Sequence, residues 1–323
     1  MIKTKVTEKL GIEYPIIGGT MMWLSVPELV AAISDAGALG IIASATYPTK
    51  EEFRVAVQKT KSLTDKPFAV NLNMFPGLRP IPNEEYIEVL LDEGVRIVET
   101  SGHKAPEDIL NRLKGEGCTC IHKCVGVRYA RKAESLGVDM VTVVGWENGG
   151  ATGILDIATL PLVPRVVDNV SIPVIAGGGI GDGRGVAAVL ALGAQGVIMG
   201  TRFLVTEECP IHPKLKEALL NANETDTALI LRSIGNTHRV WKNKMAGRIA
   251  EEEAKNVGLE GLIPLIKGEN NKKMFESGEI DAGTLACGQA IGLAKKVQPV
   301  AEVIDEIVRQ AVESKKRLDS LIQ

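Results

Sequence analysis

Two glycine-containing turns carry the clearest chemical signal in this chain. In IPVIAGGGIGDGRG, Gly177, Gly178 and Gly179 directly follow an apolar run, and in GVIMGTRF, Gly200 and Thr201 do the same. Glycine lets backbone N–H groups close on an anion, and a following helix N-terminus adds partial positive charge, so such turns can grip a phosphate. One such turn alone is as well explained by tight chain reversal; two in succession favour a phosphate ligand. A Rossmann site is the rival, but GGGIGDG fits GxGxxG poorly and lies far from the first strand. Groups that could move protons are few. The histidines are His103, His122, His212 and His238, and Glu147 lies in the loop GWENGG, where a solvated carboxylate is the competing reading. Cys118, Cys120, Cys124, Cys209 and Cys287 show neither zinc-type CxxC nor iron–sulfur spacing and read as reduced thiols, so no metal ligands are expected.

Turns that grip an anion must be held at the ends of rigid elements. Apolar runs recur at Pro15–Gly18, Leu39–Ala43, Phe68–Leu72, Ile97–Thr100, Cys118–His122, Met140–Val144, Val174–Ala176 and Gly196–Met199. Between them lie segments such as PELVAAISDAG, EEYIEVLLDEG and GRGVAAVLALGA, with apolar residues at helical spacing and often a closing glycine. Continuous apolar runs mark strands buried on both faces, and parallel strands need helical crossovers. The pattern predicts an α/β fold, a (β/α)8 TIM barrel, with a doubly wound open sheet as competitor. The two glycine turns would then follow strands seven and eight, where barrels commonly hold phosphate. After Arg202 the rhythm stops. The expected organisation is a barrel over 1–206, a polar helical lobe without apolar strand runs over 207–280 on the substrate side, and C-terminal helices over 281–323 packing back on the barrel.

Composition agrees with a large core. Of 323 residues, 45% are hydrophobic but only 4% aromatic, so Val, Ile, Leu and Ala must fill it. A formal net charge of -3 without a long basic run gives no reason to expect nucleic acid. MIKTKVTEKLGIEYP has no apolar signal region, and no apolar stretch is long enough for a membrane span. The expectation is a cytoplasmic protein with a small-molecule substrate, with a homodimer left open.

At the segments YPIIGGTMMWLS, AISDAGALGIIAS, KPFAVNLN, GWENGGATG, IPVIAGGGIGDGRG and GAQGVIMGTRFLVTEECPIHPKLKEAL, the chain resembles the nitronate monooxygenase family, formerly the 2-nitropropane dioxygenases. It is also similar to the flavin-dependent bacterial enoyl-ACP reductases. The resemblance implies an FMN-dependent barrel oxidoreductase. Gly19, Thr20 and Met21 would line the flavin ring, Asn71 would bond its edge, and Lys123 would face its N1/O2 side or the ribityl chain. Gly150, Gly178, Gly179, Gly200 and Thr201 would hold the ribityl and phosphate groups. Competing readings are a strand cap for Asn71, a solvated charge for Lys123 and core filler for Met21 and Met22.

The chain departs from both related groups where proton transfer is concerned. Their loop after strand six usually reads GGH, a small residue and glycine; here it reads GGATG, with Ala151 at the histidine position. Acid–base catalysis by a positioned side chain is typically worth about 10²–10⁴-fold. His103 and Glu147 are the replacement candidates for the catalytic role. His122 should point outward if Lys123 points into the barrel, His212 reads as structural, and His238 could reach the site only if the lobe caps it. Trp23 and Trp146 would wall an apolar pocket or anchor packing. Three functions remain: oxidation of alkyl nitronates with oxygen, NAD(P)H-dependent reduction of an enoyl thioester or quinone, and FMN binding without catalysis.

Overall fold

The computed structural model describes residues 2–75 and 81–322. Eight strands form one parallel sheet: β1 (Ile16–Gly18), β2 (Gly40–Ala43), β3 (Phe68–Asn73), β4 (Ile97–Ser101), β5 (Thr119–Cys124), β6 (Met140–Val144), β7 (Val174–Gly177) and β8 (Gly196–Met199). They neighbour one another in chain order, and β8 pairs with β1. A bridge between Ile17 and Leu39, with the Leu39 N–H donating to Ile16 O at 3.0 Å, joins β1 to the start of β2, so the sheet closes into a barrel.

Strand side chains alternate between the two faces. Ile17, Ile41, Ala69, Ile121, Met140, Val144, Ile175 and Ile198 therefore meet in one interior cluster, which Val6 and Leu10 of the helix Lys5–Leu10 join. That helix begins at a reciprocal cap between Thr4 and Thr7, which satisfies two otherwise unpaired amides. The opposite strand faces pack against the surrounding helices, where Phe53 and Tyr86 sit with ring centroids 4.9 Å apart.

The segment after β8 corrects the expectation of a strand-free lobe. Besides the helices Pro213–Leu220, Lys244–Ala254, Gly258–Ile266 and Gly268–Ser277, it holds an antiparallel pair, Thr227–Ile230 with His238–Trp241. His238–Trp241 also pairs with Gly150–Ala151, so a three-stranded sheet ties the lobe to the loop after β6. TALI and HRVW are too short and too mixed to read as buried runs. They become strands by pairing and by packing on a separate small cluster that includes Ile230, Val240, Ile249 and Leu262. The final segment holds a short 3-10 turn, Gln289–Leu293, and one long helix, Val300–Leu321, whose buried residues include Val303, Ile304 and Ile307. This helix packs on the barrel helix Gly183–Ala191.

Candidate active site

A cavity of about 330 Å³ opens at the carboxyl ends of the barrel strands. Gly19, Thr20 and Met21 after β1, Asn71 in β3, Lys123 in β5, Gly150 after β6, Gly178 and Gly179 after β7, and Gly200 and Thr201 after β8 all border it.

One corner of the cavity is backbone. Gly178 has φ +93°, and a Cβ there would lie 2.9 Å from the backbone N and O of Gly145. A Cβ at Gly200 would meet nothing nearer than Met21, at 3.8 Å, so the space it faces is open. The 3-10 helix Thr201–Val205 starts directly after Gly200 with no side-chain cap. Residues near 284–290 close this corner from outside: the Gly288 N–H donates to Thr201 Oγ1 at 2.9 Å, and the Gln289 N–H donates to Glu147 O at 3.0 Å. The sequence reading had not placed this segment at the mouth.

The side formed by β3, β4 and β5 is instead made of side chains. Glu99, fully buried in β4, collects three donors on Oε2: Thr20 Oγ1 at 2.9 Å, Asn71 Nδ2 at 2.6 Å and Lys123 Nζ at 3.3 Å. Asn71 Nδ2 also lies 3.2 Å from Ser101 Oγ. Glu99 was missed, although the run IVETS carried a signal: period two puts Glu99 on the face shared by Ile97 and Ser101, and a carboxylate inside a strand core needs partners. Its Oε1 is buried without a partner among the described residues.

The loop after β6 is tightly held. Both carboxylate oxygens of Glu147 accept from the Thr159 N–H, at 3.0 and 3.1 Å, and Oε2 also accepts from Thr159 Oγ1 at 3.1 Å. The group caps the start of the helix Thr159–Val167. Arg239, also missed, clamps the same loop: its Nε donates to Trp146 O at 3.1 Å and its guanidinium stacks 4.8 Å from the Trp146 ring centroid. Trp146 is thus a packing anchor, whereas Trp23 borders the cavity.

The histidines separate clearly. His122 turns away from Lys123, with Nδ1 2.9 Å from Thr100 Oγ1, and burial pushes its pKa down to about 4. His212 caps the helix Pro213–Leu220. The lobe does reach the loop: His238 stands in register with Ala151, its Nδ1 2.8 Å from Asn236 O, and burial lowers its pKa. His103 is exposed, its ring edge-on to Phe75 with centroids 4.8 Å apart. All five cysteines are free and buried, and burial raises Cys120 and Cys124 to about 12, which leaves them poor nucleophiles at neutral pH.

A second cavity of about 170 Å³ lies beside the first. Phe75, Ser101, Lys123, Val144 and Ala151 border both.

An eight-stranded barrel opening at its strand ends onto a glycine corner and a charged floor is the architecture in which (β/α)8 enzymes place their active sites. The chain belongs to the nitronate monooxygenase family, whose profile, Nitronate monooxygenase, matches residues 3–85 and 77–310. Proteins of this family and of the FabK type are flavin-dependent in general. The chain is 35% identical to the (3aS,4S,5R,7aS)-5-hydroxy-7a-methyl-1-oxo-octahydro-1H-indene-4-carboxyl-CoA dehydrogenase of Rhodococcus jostii, over 99% of this chain and 98% of that protein. It is 33% identical to a Staphylococcus haemolyticus protein named "Probable nitronate monooxygenase", over 95% and 96%. Among solved structures it is similar to FabK from Thermotoga maritima, with 34% identity, TM-score 0.92 and 100% of both chains covered.

Proposed function

We propose that this protein is an FMN-dependent oxidoreductase whose substrate arrives with its reacting carbon already ionised or activated, an alkyl nitronate oxidised with oxygen being such a substrate. The carrying observation is the cavity wall. Among the described residues its only ionisable side chains are Lys123 and Glu147, and both are engaged, Lys123 with Glu99 and Glu147 with Thr159. Ala151 has no proton to give or take. A nitronate is already a carbanion and needs no base to form it.

The residues present fit the cofactor, because a Cβ at Gly200 would occupy the corner that a phosphate needs. Gly178, Gly179, Gly200 and Thr201 would hold the phosphate, and Gly150 the ribityl chain. Gly19, Thr20, Met21 and Asn71 would line the ring. Lys123, steered by Glu99, would set positive charge beside it. When bound, FMN supplies a centre that accepts and donates electron pairs. The capped Glu147 and the clamped Trp146 keep the loop after β6 in place over the mouth.

A second reading, exchange of hydride with an acyl thioester with NAD(P)H as donor, is favoured by the second cavity, which gives an acyl group room, and by the names of the R. jostii and T. maritima proteins. Anaerobic stopped-flow separates the two. The FMN-loaded protein is mixed in turn with NADH, NADPH and an alkyl nitronate while flavin absorbance is followed. Bleaching by the nitronate alone supports the first reading, and bleaching by a nicotinamide with turnover of an enoyl thioester supports the second. No bleaching by any of them, with flavin retained, overturns both and leaves a binding protein.

A further inference from the structure

Among the described residues, Lys123 is the only cationic side chain on the wall of the larger cavity. Its ammonium is not free. Glu99 stands behind it on the neighbouring strand, with Oε2 3.3 Å from Lys123 Nζ. Lys123 is partly open to the cavity, with 23% of its side chain exposed, whereas Glu99 is closed off at 1%. Glu99 borders neither cavity, so it would not touch a bound ring itself. Thr20 and Asn71 donate to the same oxygen, at 2.9 and 2.6 Å, and fix the carboxylate in place. Glu99 Oε1 is buried without a partner, and Lys123 is the one ion-pair partner of Glu99, among the described residues. A cation backed this closely by an anion acts as a dipole, whose field weakens faster with distance than that of a lone charge. The other charged side chain on the wall, Glu147, is negative.

We propose that Glu99 is a positioning residue for the cofactor that also cancels much of the charge it positions: it presents Lys123 to the ring as a hydrogen-bond donor while denying the ring a net positive charge. Negative charge on the ring is then held weakly. The bound flavin keeps a lower reduction potential than Lys123 alone would set, which favours passing electron pairs on. The inference rests on the reading that the larger cavity holds FMN with Lys123 at its ring. It deepens that reading by stating what the site withholds.

The test is sulfite binding to the FMN-loaded protein, followed by loss of the visible flavin band. Sulfite adds its sulfur lone pair to N5 of the oxidised ring. No group leaves, and the ring takes up the electron pair and with it negative charge, so the affinity reports how well the site bears that charge. Glu99→Gln keeps an oxygen for Thr20 and Asn71 but removes the opposing charge. It should tighten sulfite binding about tenfold or more. The two-electron potential, read against a reference dye, should rise as well, by about 30 mV where the reduced ring gains tenfold. Lys123→Gln should move both readouts the other way, a pair of opposite shifts that loss of packing would not produce. Should Glu99→Gln fold poorly, Glu99→Leu combined with Lys123→Leu removes the pair without stranding a charge. Sulfite affinity should then stay within about fivefold of the unaltered protein, because the net charge beside the ring is unchanged. A larger fall would mean that the Lys123 charge acts uncancelled and overturns the proposal, as does unchanged or looser sulfite binding in folded Glu99→Gln. Both results leave the parent reading standing where FMN is retained. Failure of the unaltered protein to bind FMN overturns the parent reading and this one with it.

Discussion

The two sides of the barrel mouth are built on opposite plans. The corner after β7 and β8 is main chain, fixed by glycine conformation and by the return of the C-terminal segment. The floor of β3 to β5 is side chain, fixed by three donors converging on the single buried oxygen Glu99 Oε2. A main-chain corner has no group that titrates near neutrality, so pH should leave it alone. A floor held by charge balance fails when one partner goes, because the remaining charge is left short of both water and a counterion.

That contrast can be broken most forcefully at Glu99. Glu99→Leu takes the shared acceptor from Lys123, Thr20 and Asn71, leaving Asn71 only Ser101, and we expect a loss of roughly 3–5 kcal/mol in urea unfolding along with, on the reading proposed above, weakened FMN retention. An unchanged midpoint would mean that the floor is not charge-balanced. The reverse face of the same strands gives the next effect, through pH. The imidazole of His122 titrates at about 4 when folded, against 6.5 as its ordinary value. Between those values the unfolded chain binds the extra proton. Stability should therefore fall as pH drops through 6.5 and level off below about 4, by about 3 kcal/mol in all. In His122→Gln this part of the slope should vanish, and a slope that persists in full would assign it to other groups. The smallest effect belongs to the corner. Gly179→Ala puts a Cβ on a residue at φ +69°, with no atom nearer than 3.6 Å, and should cost about 1–2 kcal/mol. Its penalty should be the same at pH 5 and pH 8, and a penalty that changes with pH would erase the distinction between corner and floor.

Much of the barrel was legible from sequence because doubly buried parallel strands leave continuous apolar runs. The run Met140–Val144 matches β6 at both ends, and Gly196–Met199 matches β8. The glycine turns and the substitution at Ala151 were legible for a similar reason: each depends on local residue type. What escaped depends on partners distant in the chain. HRVW is a strand because it meets TALI on one side and Gly150–Ala151 on the other. Arg239 matters because the lobe brings it onto Trp146. Glu147 reads from sequence as a proton carrier or a solvated carboxylate, and its capping role depends on the helix start at Thr159, whose N–H contacts both of its oxygens. No residue-type rule announces that AGTLACGQ returns to the mouth, since it is held there by its own backbone N–H groups, which reach Thr201 Oγ1 and Glu147 O, partners distant in the chain.

That return has a consequence for biosynthesis. When a ribosome has released all eight staves, the stretch containing Gly288 is still to come, and with it the outer wall of the glycine corner. On the reading proposed above, the barrel strands and their glycine turns would exist before the wall that closes them from outside, so the nascent chain would hold a flavin phosphate less firmly than the chain that includes Gly288.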